Sequence, residues 1–363
     1  MSQAATPLTV QARRTFARRA VPAAAIAIAV LAGGCDGSDE PSPDARAASE
    51  PAAAKVVLPD GRIAFRRYLD VAQTHVAIFT INPDGTKEKQ ITDPPAGYVD
   101  DHPDWSPDGK RIAFERCAES EPCQVLTVGA DGGRPDKVTA RCELNPICDL
   151  ASPAWTPDGR LVVTLAQGRE RHAPTTGEGW IQQSAVALLD PDTGTQREIV
   201  ERRDWTGDAA NPAVSPDGRT VIYSRWNSWR SKPADRVAVY AVDLDGSNHR
   251  RLTPWKLGAG DHPGFAPDGT ILFRSYADDE TTQSDYWTVR PDGKDLMQLT
   301  HYKQGEIVLS TSYSPDGKWI VHATNGVDGN ADVFAMRADG TDNQPVTRSK
   351  LWDSAPDWGP PGS

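Results

Sequence analysis

The tripeptide Asp-His-Pro occurs twice in this chain, at Asp101-His102-Pro103 and at Asp261-His262-Pro263. A carboxylate beside an imidazole can orient the ring from behind while it binds a metal ion. It can also set a general acid or base near neutral pH. Against a metal, structural and catalytic ions want three or four ligands close together, and two histidines fall short of that. Against both, an Asp-His pair can simply cap the start of a strand. Asp101, His102, Asp261 and His262 are thus candidates for chemistry, and no catalytic role, metal or cofactor is assigned to them.

What positions these residues is a repeat. The copies are LPDGRIAF from Leu58, WSPDGKRIAF from Trp105, WTPDGRLVV from Trp155, VSPDGRTVIY from Val214, FAPDGTILF from Phe265 and YSPDGKWIV from Tyr313. Their glycines, Gly61, Gly109, Gly159, Gly218, Gly269 and Gly317, are 48, 50, 59, 51 and 48 residues apart. In each copy proline presets the first corner of a type I turn, aspartate bonds locally to the backbone and glycine accepts positive φ. An alternating strand such as Arg111-Ile112-Ala113-Phe114 follows, then a second such as Val237-Ala238-Val239-Tyr240. A second turn, of the NPDG (Asn82) or DLDG (Asp243) kind, leads to a short strand ending in Ile91-Thr92 or Leu252-Thr253. The pattern predicts four strands per unit and six units.

Four-stranded units of this length cannot bury both faces alone and stack as the blades of a ring. The motif resembles the TolB-like, WD-type β-propeller repeat over Val56 to Ser363. That resemblance implies an all-β, six-bladed propeller of antiparallel four-stranded blades. The tail, APDWGPPG from Ala355, repeats the start of a blade, so it is expected to supply the innermost strand of blade one and close the ring, leaving no free sheet edge. TolB carries a separate N-terminal domain, whereas here a tether precedes the first blade, so a role in the Tol system is not implied.

Aligned on the proline of each inner strand, the preceding residues are His102, Ser152, Asn211, His262, Ser310 and Ala355. Blades two and five stand opposite each other in a ring of six. The two Asp-His pairs are therefore expected to face one another across the channel mouth, ringed by Ser152, Asn211 and Ser310, so that beside metal, catalysis or strand capping these residues can form a polar lining that binds a ligand or water. The PDG turns share one face, and their aspartates are read as structural. The opposite face carries the variable segments, read as loops, between units (residues 94–103, 140–153 and 349–356 among them) and between second and third strands (residues 166–183 among them); binding residues concentrate in such segments on a rigid scaffold. Trp180, Trp205, Trp226, Trp229, Trp255 and Trp352 fall there, with Arg225 and Arg230 beside Trp226 and Trp229. Such aromatics either plug the seams between blades, contact a partner as hot spots or stack on sugar rings.

Cys117, Cys123, Cys142 and Cys148 map to the same face. Outside the cytoplasm an even number of cysteines favours disulfides. Neither pair has the short spacing of a zinc knuckle. Cys117 with Cys123 and Cys142 with Cys148 is one pairing, and a crossed pairing is the other. The extracytoplasmic setting rests on the start of the chain. Residues 1–34 read as an export signal: Arg13-Arg14-Thr15-Phe16 resembles a twin-arginine motif, and Leu31-Ala32-Gly33-Gly34-Cys35 resembles a lipobox, with Cys35 as the lipidation site. The apolar run from Val21 to Ala32 is short for a membrane span. Residues 35–55 read as a flexible tether rich in Pro, Ala and Ser.

The formal charge is −11, and the signal holds four arginines and no acids, so a chain from Cys35 carries −11 − 4 = −15. Such a body repels nucleic acid. No G-x-S-x-G elbow is present and no residues remain for an α/β-hydrolase domain. The expectation is a monomeric, non-catalytic lipoprotein on the outer side of a bacterial membrane, anchored by its lipid. Its tryptophan-rich face would bind an envelope protein or a glycan. The alternative is a propeller enzyme, a lyase or glycan-processing enzyme, with an Asp-His site at the channel mouth.

Overall fold

The structure is a computed structural model. It describes residues 58–363 except 71, 119–120, 139, 141–147, 174–176, 201–206, 228–236, 277–282, 304 and 326–329, and of residues 148, 167–173, 177–183, 207 and 261 it describes the backbone alone. The expected export signal and tether, with Cys35, lie outside the described residues, as do Trp205, Trp229, Arg230 and Cys142. The described part belongs to one compact unit.

Apart from a short 3-10 turn at Trp255–Leu257, the described residues form strands, turns and loops. The first sheet holds β1 (Ile63–Tyr68), β2 (Val76–Ile81), β3 (Lys89–Gln90), β4 (Tyr98–Trp105), β5 (Arg111–Ala118), β6 (Gln124–Gly129) and β7 (Asp136–Lys137), together with β24 (Asp353–Trp358). It is two four-stranded arrays, β24-β1-β2-β3 and β4-β5-β6-β7, joined by one parallel bridge between Val76 and Val99. Four further four-stranded sheets follow in chain order. They are β8 (Cys148–Trp155) to β11 (Gln196–Val200) through β9 (Leu161–Ala173) and β10 (Gly177–Leu189), and β12 (Gly207–Val214) to β15 (Arg250–Arg251) through β13 (Thr220–Asn227) and β14 (Val237–Asp243). The last two are β16 (Ala259–Phe265), β17 (Ile271–Tyr276), β18 (Ser284–Val289) and β19 (Met297–Gln298), then β20 (Val308–Tyr313), β21 (Trp319–Thr324), β22 (Asp332–Arg337) and β23 (Gln344–Pro345). Each of these arrays contains one copy of the sequence repeat.

The repeat residues build the arrays by local chemistry. In the first-to-second strand turn, Ser106 Oγ donates to Asp108 Oδ1 (2.7 Å), whose carboxylate also accepts Lys110 N–H (3.1 Å), while Gly109 at φ 68° donates its N–H to Ser106 O (2.9 Å). Thr156/Asp158, Ser215/Asp217 and Ser314/Asp316 repeat the hydroxyl–carboxylate bond. The Ser106 hydroxyl and the Lys110 amide hold the Asp108 carboxyl below its ordinary range, as hydrogen bonds to an ionised group do. The threonine that follows an aliphatic residue at the end of four units does a different job. Thr92, Thr253, Thr300 and Thr347 each accept the third strand's N–H through Oγ1, at 2.9 to 3.0 Å. A side chain thus completes the ladder where β3, β15, β19 and β23 have only two residues each, which keeps the outer edges short.

The apolar faces are buried between arrays. Trp105 packs with Ala64, Ile78, Phe114 and Leu126, and Trp155 with Val125, Leu150, Leu161 and Val163, so each tryptophan bridges two units. Seam hydrogen bonds follow the same plan: Trp105 N–H donates to Asp357 Oδ2 and Trp155 N–H to Asp104 Oδ2, both at 2.8 Å. β24 pairs with β1 in antiparallel register, and the Arg67 guanidinium clasps Asp353 across that pair at 2.7 and 2.8 Å.

Two sequence expectations change. The segments between units were expected as loops, yet Asp100 to His102, Cys148 to Ser152 and Asp353 to Ala355 already lie in the inner strands. A backbone irregularity before each proline hides these strands from a period-two reading. The segment from Ala166 to Gln183 was expected as a loop between strands, whereas the β9–β10 ladder runs on to the pair Ala173–Gly177.

Candidate functional site

The irregularity is a β-bulge, and it sets the candidate site. Pairing between the inner strand and its neighbour shifts between Asp101 and Asp104, Ala151 and Ala154, Ala210 and Ala213, and Asp261 and Gly264. At those bulges His102, Ser152, Asn211 and His262 take φ of 49°, 46°, 52° and 49°, and Ala355 takes 52°. A left-handed residue other than glycine costs roughly 1 kcal/mol, and a bulge re-aims the side chain it carries. Ser310 lies on β20, half-buried, followed by Thr311 rather than proline, and does not adopt positive φ.

The re-aimed side chains meet. The rings of His102 and His262 stack with centroids 4.3 Å apart and planes 12° from parallel, although the residues are far apart in sequence. Ser152 Oγ donates to Asn211 Oδ1 at 3.1 Å. The first Asp-His pair is described in full: Asp101 is wholly buried and its Oδ1 accepts the His102 backbone N–H at 2.8 Å. The side chain of Asp261 lies outside the described residues.

Two functional residues are absent from the sequence reading. Glu115, at the centre of β5 and wholly buried, places Oε1 3.1 Å from His102 Nδ1, while its Oε2 accepts Ser152 N–H at 2.8 Å. Arg66, on β1, pairs with Asp101 Oδ2 and donates from Nε to Ser354 Oγ at 2.6 Å. The signal for both was a charge within a buried apolar strand, in Phe65-Arg66 and Phe114-Glu115. Burial opposes a charge on His102, but Asp101 and then Glu115 outweigh it and hold the imidazole above its ordinary pKa. Among the described residues, Asp101, His102 and Glu115 form a group able to hold a metal ion, with one donor atom from each within 4.8 Å of the others.

Two residues along the inner strand stands a second polar level. Asp104 and Asp357 are electrostatically coupled carboxyls on β4 and β24; burial and then the charge of Asp357 push the Asp104 carboxyl well above the usual range. Asp357 Oδ1 also accepts Ser312 Oγ–H at 2.7 Å. The remaining predicted residues do not join the site. Trp352 packs on Tyr68, Val76 and Val99. Trp255 lies against Tyr240, with ring centroids 5.9 Å apart, and the Arg225 guanidinium covers the same Tyr240 ring at 5.5 Å. Trp352 thus packs at the seam of the first two units, whereas Trp255 and Arg225 pack on a ring of the fourth unit's own sheet. Trp226 is half-buried at the end of β13, and Trp180 lies on β10 opposite Glu170, its side chain outside the description. Cys117 and Cys123 form a disulfide with Cα atoms 4.2 Å apart, stapling the β5–β6 hairpin. The side chain of Cys148 is not described.

Four-stranded arrays strung on a PDG repeat, packed through tryptophan seams, define a β-propeller. Residues 57–259 match the TolB beta propeller domain, and the chain belongs to that family. Among solved structures it resembles TolB from Acinetobacter baumannii, at TM-score 0.60 and 20% identity over 83% of this chain and 67% of that one. It also resembles a putative TolB from Agrobacterium tumefaciens, at TM-score 0.57 and 20% identity over 83% and 99%. An oligogalacturonate lyase solved with manganese shares the fold at TM-score 0.50 and 16% identity, over 76% and 71%. In sequence, an uncharacterized peptidase, YuxL, of Bacillus subtilis (strain 168) is 26% identical over 52% of this chain, which spans only 31% of that protein. An uncharacterized protein of Agrobacterium fabrum, Atu1656, is 28% identical over 64% of this chain and 67% of its own.

Proposed function

We propose that this protein is an extracytoplasmic binding module, a six-bladed propeller held at the membrane by a lipid on Cys35, that takes a ligand at the mouth of its channel. Six copies of the repeat, the pairing of β24 with β1 and the packing of β24 against both β4 and β20 support a ring closed by the C-terminal strand. The observation that carries the binding reading is the convergence of bulge residues. His102 stacks on His262 and Ser152 bonds to Asn211, which concentrates ring faces and polar groups from four separate sheets at one place. A glycan or a polar loop of an envelope protein suits such a mixture of flat and hydrogen-bonding surface. Trp226, half-buried at the end of β13, would add to that surface. The test is binding of the tag-free protein to a glycan array and to detergent-solubilised envelope proteins. The expected result is a set of ligands lost by the His102→Ala/His262→Ala double variant at unchanged circular dichroism. Ligands held equally well by that variant would move the site elsewhere.

A lyase is the second reading, favoured by one observation: His102 Nδ1 lies 3.1 Å from Glu115 and 3.7 Å from Asp101, a geometry in which an imidazole can exchange a proton. It predicts release of an unsaturated sugar from acidic polysaccharides by wild type and none by His102→Ala.

A further inference from the structure

We propose that Asp101, His102 and Glu115 hold a divalent first-row metal ion, Zn2+ or Mn2+. The sequence offers two histidines on different units, too few for an ion, but the fold supplies the missing ligand from the neighbouring strand. The inference does not depend on the binding reading above, since an ion bound beside the channel is compatible with any occupant of the rim.

Three observations carry it. The first is spacing. His102 Nδ1 lies 3.1 Å from Glu115 Oε1 and 3.7 Å from Asp101 Oδ1. Bonds of about 2.0–2.2 Å to a tetrahedral ion put neighbouring ligand atoms roughly 3.3–3.6 Å apart, so the two separations from His102 bracket that spacing, and the two carboxylates, within 4.8 Å of one another, draw together on binding. The second is orientation. The His102 Nδ1 atom is buried and meets Glu115 Oε1 at 3.1 Å in an alignment poor for a hydrogen bond, so an ion between them would satisfy the nitrogen better than the carboxylate alone does. The third is support from behind. Each carboxylate has its other oxygen held by a different unit: Asp101 Oδ2 by the Arg66 guanidinium, and Glu115 Oε2 by the Ser152 amide at 2.8 Å. Outer partners of this kind fix metal-binding carboxylates and are worth about 10- to 100-fold in affinity.

His262 has a positioning role. A ring lone pair lies in the ring plane, so an ion on His102 Nδ1 sits in the plane of His102, and a ring stacked 12° from parallel sends its own lone pairs past that ion. The stack instead fixes the angle of the ligand. Two carboxylates offset the charge of a dication, and Arg66 leaves one positive charge over, which favours an anionic fourth ligand or a readily ionised water. A donor set of imidazole and carboxylate without thiolate suits zinc or manganese.

The test is calorimetric titration of the dialysed, tag-free full chain with ZnCl2 or MnCl2 alone, joined to electron spin-echo spectroscopy of the Mn2+ form. One ion per chain is expected, with a nitrogen coupling from one imidazole. Glu115→Gln and His102→Gln should weaken binding at least 100-fold, and His262→Ala about 10- to 100-fold at unchanged stoichiometry. Should a variant fail to fold, the wild-type spectrum decides. Absence of one-to-one binding, absence of the nitrogen coupling, or a folded Glu115→Gln protein that binds as tightly as wild type overturns the proposal.

Discussion

Lowering the pH from 7.5 to 5 should cost this protein about 2 kcal/mol through His322 alone. His322 lies on β21 and is wholly buried, edge-on to Tyr286 with ring centroids 5.5 Å apart and stacked on Phe334 at 5.8 Å. Its Nε2 faces Asn343 Oδ1 at 3.0 Å. Burial pulls the imidazole from 6.5 down to about 4, against the smaller opposing pull of the Asn343 carbonyl. A folded-state pKa below the unfolded one means that the stability is fully present above the unfolded value and is lost as pH falls toward the folded one. Two-state linkage with those values gives a loss of about 2 kcal/mol at pH 5 and about 3 kcal/mol at pH 4, close to its limit. His322→Gln keeps an amide to meet Asn343 and removes the titration. Urea unfolding of both proteins at pH 7.5 and 5 isolates the effect, because groups common to both cancel. One of those is His102, whose raised pKa has the opposite sign, its stability present below the unfolded value and lost as pH rises through the folded one. Wild type should lose about 2 kcal/mol more than the variant. Slopes parallel to within about 0.5 kcal/mol would refute the claim that this imidazole is kept neutral by burial.

The Asp104–Asp357 pair predicts a gain. The raised Asp104 carboxyl must ionise as pH climbs, which costs the folded state, so Asp104→Asn, which keeps an oxygen for the Trp155 amide, should be stabilising by about 1 kcal/mol at pH 8 and neutral at pH 4 in thermal melts. At the β1–β24 junction, Arg67→Ala leaves the wholly buried Asp353 without its guanidinium and should cost about 3–5 kcal/mol in urea unfolding. Glu88→Gln, at the more exposed end of the same guanidinium, should cost less than about 1 kcal/mol.

The repeat made the scaffold legible because each of its residues acts within a few positions of itself. The hydroxyl–Asp–Gly turn closes over residues 106–111, and the Leu-Thr end bonds back across a single turn, from Thr253 to Val239. Short-range chemistry leaves a short-range pattern. The histidine pairing was legible too, since alignment on the proline placed His102 and His262 at equivalent positions of the second and fifth units. What could not be read was the third dimension of each bulge. The left-handed residue breaks alternation, so the first half of every inner strand passed for loop. Arg66 and Glu115 act on residues 35 and 37 positions away, Asp101 and Ser152, and nothing in the spacing of one strand announces a partner in the next unit.

That difference in range separates the residues that build each sheet from those that join one sheet to the next. In four of the units the second strand sends one side chain under the inner strand of the next: Arg66 to Asp101, Glu115 to Ser152, Thr164 to Asn211 and Arg274 to the Val308 carbonyl. A threonine can do this job with one neutral hydrogen bond, 3.1 Å from the Asn211 amide. Holding a seam together therefore does not require a charge. Arg66, Glu115 and Arg274 are in excess of that need and carry a desolvation cost that burial imposes on every ion. Two of the three, Arg66 and Glu115, flank Asp101 and His102. Threonine would serve a seam that only had to be rigid, so these charged residues, rather than the repeat itself, are where this chain departs from a purely structural plan.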